Sequence, residues 1–106
     1  MELWKEIEQA HQRIRKVILR TPIIYSDTLS HLTGREVFLK LENLQKTGSF
    51  KIRGAYHLLS KLSPSMRRRG VVAASAGNHA QGVAYASSLL NIASTIIMPE
   101  GASIAK

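Results

Sequence analysis

The chain contains no cysteine, which excludes a disulfide framework and any thiolate metal site. Acidic residues are scarce too: seven Asp and Glu against fifteen Lys and Arg leave a formal charge of +8. No apolar run approaches the roughly 20 residues that span a bilayer. The opening Met1-Glu2-Leu3-Trp4-Lys5-Glu6 is charged and amphipathic and carries no signal-peptide core. These shortages point to a soluble, cytoplasmic chain with no membrane partner. What is present is ordinary for a globular protein: 44% hydrophobic residues in a length of 106, which disfavours disorder and suffices for one small domain. There is no internal repeat and no low-complexity segment.

A surplus of positive charge raises the question of nucleic acid. The excess lies mainly in Arg13, Arg15, Lys16 and Arg20, and in Arg67-Arg68-Arg69. Neither cluster has the interleaved aromatics of a single-strand binder. The first falls on the polar side of a predicted helix and the second in a predicted turn, so both read as solvated surface. No nucleic-acid partner is expected, and a basic binding module without cofactor remains the remote alternative.

Leu3, Ile7, Ala10, Ile14 and Val17 recur at spacings of four and three, one apolar face of a helix. Thr21-Pro22 stops it, since the residue before proline is steered out of the helical region. Ile23-Ile24-Tyr25 reads as a short extended segment. Ser26-Asp27-Thr28 offers caps for a brief helix through His31, ended by Gly34. Val37 to Glu42 is a predicted strand, followed by a loop and a helix from about Ser49 to Leu62, closed by Ser63-Pro64. Val71-Val72-Ala73-Ala74 and Ala93 to Met98 are short apolar runs of the kind buried in parallel sheets, with a helix from Asn78 to Asn91 between them. A further helix is predicted to start after Pro99. Ligands in such strand–helix–strand units bind at the carboxyl ends of the strands, where Ser75 to His79 falls.

Chemistry concentrates in two segments. In Lys46-Thr47-Gly48-Ser49-Phe50-Lys51-Ile52-Arg53-Gly54-Ala55, a turn of small and hydroxylic residues runs into a helix that opens near Lys51. The positive end of a helix dipole favours the neutral amine, and Phe50 offers apolar cover that acts the same way. A neutral amine is what Schiff-base chemistry requires. Read without that context, Lys51 is an exposed helix lysine and Phe50 a core residue of its helix. In Ser75-Ala76-Gly77-Asn78-His79-Ala80, Gly77 permits close backbone approach, and successive N–H groups at a helix start attract anions. The plainer reading is a pair of capping side chains. His11, His31 and His57 are scattered and read as ordinary.

Glu42 to Ala55, Glu-Asn-Leu-Gln-Lys-Thr-Gly-Ser-Phe-Lys-Ile-Arg-Gly-Ala, resembles the pyridoxal-phosphate attachment segment of the serine/threonine dehydratases, fold-type II enzymes among which threonine ammonia-lyase is the nearest likeness. Ser75 to Gly82 resembles the substrate-carboxylate loop of the same group, and the likeness extends from Arg20-Thr21-Pro22 to Met98-Pro99. It implies an α/β fold, the parallel-sheet three-layer architecture of fold-type II, incomplete in this chain. Residues 1–50 would belong to a large domain and 51–106 to the first part of a small one. It implies pyridoxal 5'-phosphate bound covalently at Lys51, Phe50 packed on the cofactor ring, and Asn78 bonded to the ring's phenolic oxygen. Ser75, Gly77, His79 and Ala80 would hold the carboxylate of an amino-acid substrate. Arg53 is read as structural.

The family's glycine-rich phosphate loop and its partner for the pyridine nitrogen have no counterpart within the 106 residues. The expectation is therefore an N-terminal part of a longer enzyme, inactive alone, whose full-length form is a homo-oligomer converting threonine to 2-oxobutanoate and ammonia. A racemase or β-replacing synthase of the same fold is the alternative. Against racemisation stands Ala76, since related serine racemases carry a serine at the matching position that serves the second face of the substrate.

Overall fold

Two helices, α3 at Lys51–Ser60 and α5 at Asn78–Leu89, build the core of the computed structural model, which describes residues 2–102. Ile52, Ala55 and Leu59 recur along one face of α3 and meet Val83 and Ala86 of α5, with Ala73 and Ile92 closing the cluster. Ile52 and Ala86 are wholly buried. Between the helices run α4 (Pro64–Arg69) and strand β3 (Val71–Ala74), and after α5 comes β4 (Ser94–Ile97). β3 and β4 pair in parallel, Val71 opposite Ser94 and Ala74 opposite Ile97, as the apolar runs predict.

The first third is laid out differently. Helix α1 (Leu3–Ile14) ends three residues before the predicted Val17, where Val17 and Ile18 donate back to the Ile14 carbonyl in a tight turn. β1 (Ile23–Tyr25) and β2 (Phe38–Lys40) form an antiparallel ribbon around α2 (Asp27–Thr33). The parallel architecture thus resides in the β3–α5–β4 unit, and this ribbon is an addition to it. The caps of α2 are as expected: Ser26 Oγ accepts from Leu29 N, and Gly34 ends the helix at φ 65°. The predicted strand at 37–42 shortens to β2, because Glu42–Leu44 and Lys46–Gly48 turn into two short 3₁₀ helices. Arg67-Arg68-Arg69 is helical, not a turn, and α4 starts on the Ser63 cap with proline in its first turn. Arg67 is committed to structure: it donates to the carbonyls of Ser60 and Leu62 at 2.7 and 3.1 Å, groups that the end of α3 leaves without helical partners. The helix predicted after Pro99 lies mostly outside the described residues.

A polar clamp ties the loop before Lys51 to the rest. Glu42 accepts two bonds from Arg53, at 2.9 and 2.6 Å, and one from the Thr21 hydroxyl at 2.7 Å. Gln45, nearly buried, binds both the amide and the carbonyl of Leu19 at 2.8 Å. Hydrogen bonds from Arg53, opposed by burial, lower the Glu42 carboxyl from 4.5 to about 2. Its folded value lies below its unfolded one. The clamp's contribution is therefore complete above about pH 4.5 and is lost as pH falls toward 2. With both side chains mostly buried, that contribution is on the order of 3 kcal/mol. Urea unfolding across this window should show an acid limb that Glu42→Gln flattens; an unchanged limb in the variant would refute the assignment.

Gly82 allows the close approach of the two core helices. A Cβ there would sit 3.1 Å from the Lys51 carbonyl carbon and 3.2 Å from the Ile52 nitrogen, backbone atoms that cannot swing aside. Alanine would gain about 1 kcal/mol of helix propensity, while overpacking costs about 1–3 kcal/mol. Gly82→Ala is expected to be destabilising in denaturant titration, and an equal or higher stability would show that the helices can separate at no cost.

Candidate active site

Lys51 is the first residue of α3, and the turn that delivers it is unusual. Thr47 sits at φ 63° and Gly48 at φ 70°, a conformation that costs a β-branched residue about 1–3 kcal/mol. The Thr47 hydroxyl is buried without a partner. Ser49 is buried, and its hydroxyl accepts from the Lys51 amide at 3.4 Å. The Lys51 ammonium nitrogen lies 5.2 Å from the centre of the Phe50 ring. Among the described residues the ion pairs are Lys5–Glu2 and Arg53–Glu42, so no carboxylate ties the Lys51 amine down. Phe50 is 57% exposed within this chain, and the Lys51 nitrogen lies over its ring.

The second segment leaves β3 and enters α5. Ser75 donates its amide to the Ile97 carbonyl at 2.9 Å, and its hydroxyl accepts from the Gly77 amide at 3.2 Å. α5 begins at Asn78 with no side-chain cap, so the amides of its first turn keep their donors for another acceptor. Gly77 has a negative φ of −133°, and an added Cβ would meet nothing within 4 Å. An added side chain at Gly77 would therefore point into open space within this chain. Asn78 and His79 are exposed while Ala80 is buried in the helix packing.

The two segments meet at Gly82. Its contact with Lys51 brings the first turns of α3 and α5 together, and Asn78, four residues earlier, lies on the same face of α5 as Gly82. His79 borders a different space, a cavity of about 250 Å³ shared with Gly54, Leu58 and Val72. The approach of Gly82 to the Lys51–Ile52 backbone packs the start of α3, which carries Phe50 and Lys51, against α5 one turn after Asn78, with Ser75 and Gly77 in the loop that leads into α5. The structure sets His79 toward the α3–β3 side and leaves only the backbone of Ala80 available.

Sequence reasoning missed three contributors. Gly82 falls at the end of the segment likened to the carboxylate loop, and nothing there marks it as a contact surface, since that depends on Lys51, 31 positions away. The stretch around Thr47 reads as a turn, but its positive φ carries no signal, because β-branched residues disfavour that conformation. The clamp joins Glu42 and Arg53, whose pairing a sequence does not display. His57, read as ordinary, has its pKa lowered by burial and by the charges of Lys61 and Arg13, and its Nδ1 has no hydrogen-bond partner.

The arrangement fits an anionic, amine-reactive aromatic ligand: an amine free of carboxylates, an exposed ring beside it, and a helix start without a side-chain cap. Among the described residues no group of His, Asp or Glu could hold a metal, and no helix is long and apolar enough to cross a membrane.

Comparison with known proteins agrees. The chain is 55% identical over 102 residues to L-threonine ammonia-lyase of Thermotoga maritima, an alignment covering 96% of this chain and 25% of that protein. Its fold matches serine racemase of Dictyostelium discoideum with a TM-score of 0.86 and 42% identity, covering 95% of this chain and 33% of the other. The processed form of threonine deaminase isoform 2 from Solanum lycopersicum matches with a TM-score of 0.75 and 38% identity, covering 93% and 29%. The chain thus spans a quarter to a third of the length of these relatives. Residues 14–106 match the pyridoxal-phosphate dependent enzymes, and the chain belongs to that family, on its fold-type II serine/threonine dehydratase branch.

Proposed function

We propose that the whole protein is a threonine/serine ammonia-lyase dependent on pyridoxal 5'-phosphate. The observation that carries the reading is the approach of Gly82 to the Lys51 backbone, which packs the start of α3 against α5 one turn after its uncapped first residue. A relative named as an L-threonine ammonia-lyase at 55% identity supports the same choice. When bound, pyridoxal phosphate supplies the sink for the electron pair left at the substrate Cα. The residues of the chain do the rest. Lys51 anchors the cofactor covalently and takes the proton from Cα. Phe50 covers the ring, and the Asn78 amide holds its phenolic oxygen.

Ser75, Gly77, His79 and Ala80 bind the substrate carboxylate, His79 and Ala80 through their backbone amides in the first turn of α5, where the helix dipole favours an anion. The β-hydroxyl leaves as water, and hydrolysis of the released enamine gives 2-oxobutanoate and ammonia from threonine. In this reading residues 1–50 belong to the larger domain and 51–106 to the smaller one. The protein works in the cytoplasm as a homo-oligomer on a free amino acid, and its basic surface is solvated rather than bound to nucleic acid.

Lys51→Ala in the whole protein removes anchor and base together, so turnover should fall by roughly 10³-fold or more. Ammonia release within tenfold of the parent would show that another residue does this work.

The likeness to serine racemase at TM-score 0.86 keeps racemisation as a second reading. Inverting Cα requires a proton donor on each side of it. Lys51 serves one side, and Ala76, half-buried in the loop between β3 and α5, offers only a methyl group toward the other. Elimination should therefore exceed racemisation, with Ala76→Ser shifting the balance toward racemisation. Chiral analysis of residual serine alongside 2-oxo acid production measures both, and equal rates in the parent protein would overturn the lyase reading.

A further inference from the structure

The Lys51 turn is held from two directions. On one side the backbone of α5 at Gly82 lies against Lys51 itself. On the other, Arg53 projects from the same turn of α3, about 200° round the helix from Lys51. Its planar fork donates to both oxygens of Glu42, at 2.9 and 2.6 Å. A two-pronged pair fixes orientation as well as distance, which a lysine ammonium cannot do.

Glu42 is itself immobilised. It accepts from the hydroxyl of Thr21, 5% exposed, and from Gln45, 4% exposed, whose amide group is stapled to both polar atoms of the Leu19 peptide. The chain of bonds from Leu19 through Gln45 and Glu42 therefore ends at Arg53, two residues along α3 from Lys51. The Arg53 side chain is only 28% exposed and that of Glu42 15%, so water competes weakly for the pair. No bond in this network reaches the Lys51 amine or the open space beside Gly77. Its effect on chemistry must pass through the orientation of α3.

We propose that Arg53, through its paired bonds to Glu42, is a positioning residue that sets the rotation of the first turn of α3 and thereby the direction in which the Lys51 amine reaches. The proposal rests on the assignment of Lys51 as the anchor. It separates two roles that a stability measurement would merge, since a purely structural pair would leave the reactivity of the amine in folded molecules untouched.

The test uses the full-length protein with pyridoxal phosphate, comparing the parent with Arg53→Lys and Glu42→Asp, both of which keep the charges and lose the matched fork. Borohydride reduction followed by peptide mass spectrometry gives the fraction of Lys51 that has captured the cofactor, and steady-state kinetics on threonine give kcat and KM separately. Misplacement of a reacting group by about 1 Å costs up to 10²-fold. The expected result is a loss of about tenfold or more in capture rate and in kcat per folded molecule, with KM within about twofold of the parent. Capture and kcat equal to the parent in folded variants would overturn the proposal, even if the melting temperature falls. If neither variant folds, the pair is a folding element and the proposal also falls. Absence of any reduced adduct at Lys51 in the unsubstituted protein would instead overturn the anchor assignment.

Discussion

The approach of α5 to the start of α3 is the constraint on which the remaining geometry depends. Gly82 has no side chain, so the α5 backbone rests on the Lys51–Ile52 peptide. The residues that flank this contact, Ala55, Val83 and Ala86, are small or compact and buried. One turn before Gly82, α5 begins, so its start lies next to the start of α3. Each helix start carries about half a positive charge on unsatisfied N–H groups, and the two act on one place. The same close packing that fills the core therefore also creates a region suited to an anion. A larger residue at position 82 would disturb both, because core and site use the same turns.

Local signals in the sequence are read correctly where they act over a few residues. Ser26 and Gly34 bracket α2, Ser63-Pro64 follows the end of α3, and the runs at 71–74 and 94–97 become paired parallel strands. The Lys51 and Ser75 segments are legible because each has a dense local pattern. What escapes are features whose cause lies far along the chain. Nothing in Ile23-Ile24-Tyr25 reveals that it pairs antiparallel with Phe38-Leu39-Lys40. Nothing near Arg67 shows that its guanidinium will close the end of α3. Thr47 at φ 63° contradicts its own preference, and tertiary packing of the loop against α5 overrides it.

Charge is distributed with similar economy. Lys5–Glu2 is an exposed pair three residues apart, with side chains 54% and 66% accessible, and such pairs contribute little. Glu42–Arg53 is largely withdrawn from water and supported by two further donors. Breaking it would leave a buried charge without a partner, which is far more costly than the loss of a surface pair. In a chain with only seven acids, Glu42 is the carboxylate most withdrawn from water among the ion pairs of the described residues.

Site and core residues alternate along the chain in these segments. Phe50 is exposed between buried Ser49 and the helix that buries Ile52, and Asn78 and His79 are exposed directly before buried Ala80. Phe50 and His79 each adjoin a buried residue and contribute little packing themselves within this chain, so replacing them costs the packing less than replacing their buried neighbours. The reverse holds for Gly82 and Glu42, which touch no open space yet govern where the first turn of α3 points. The division between residues that react and residues that aim them runs between adjacent positions of the chain, and it follows from the periodicity of two helix starts that share one contact.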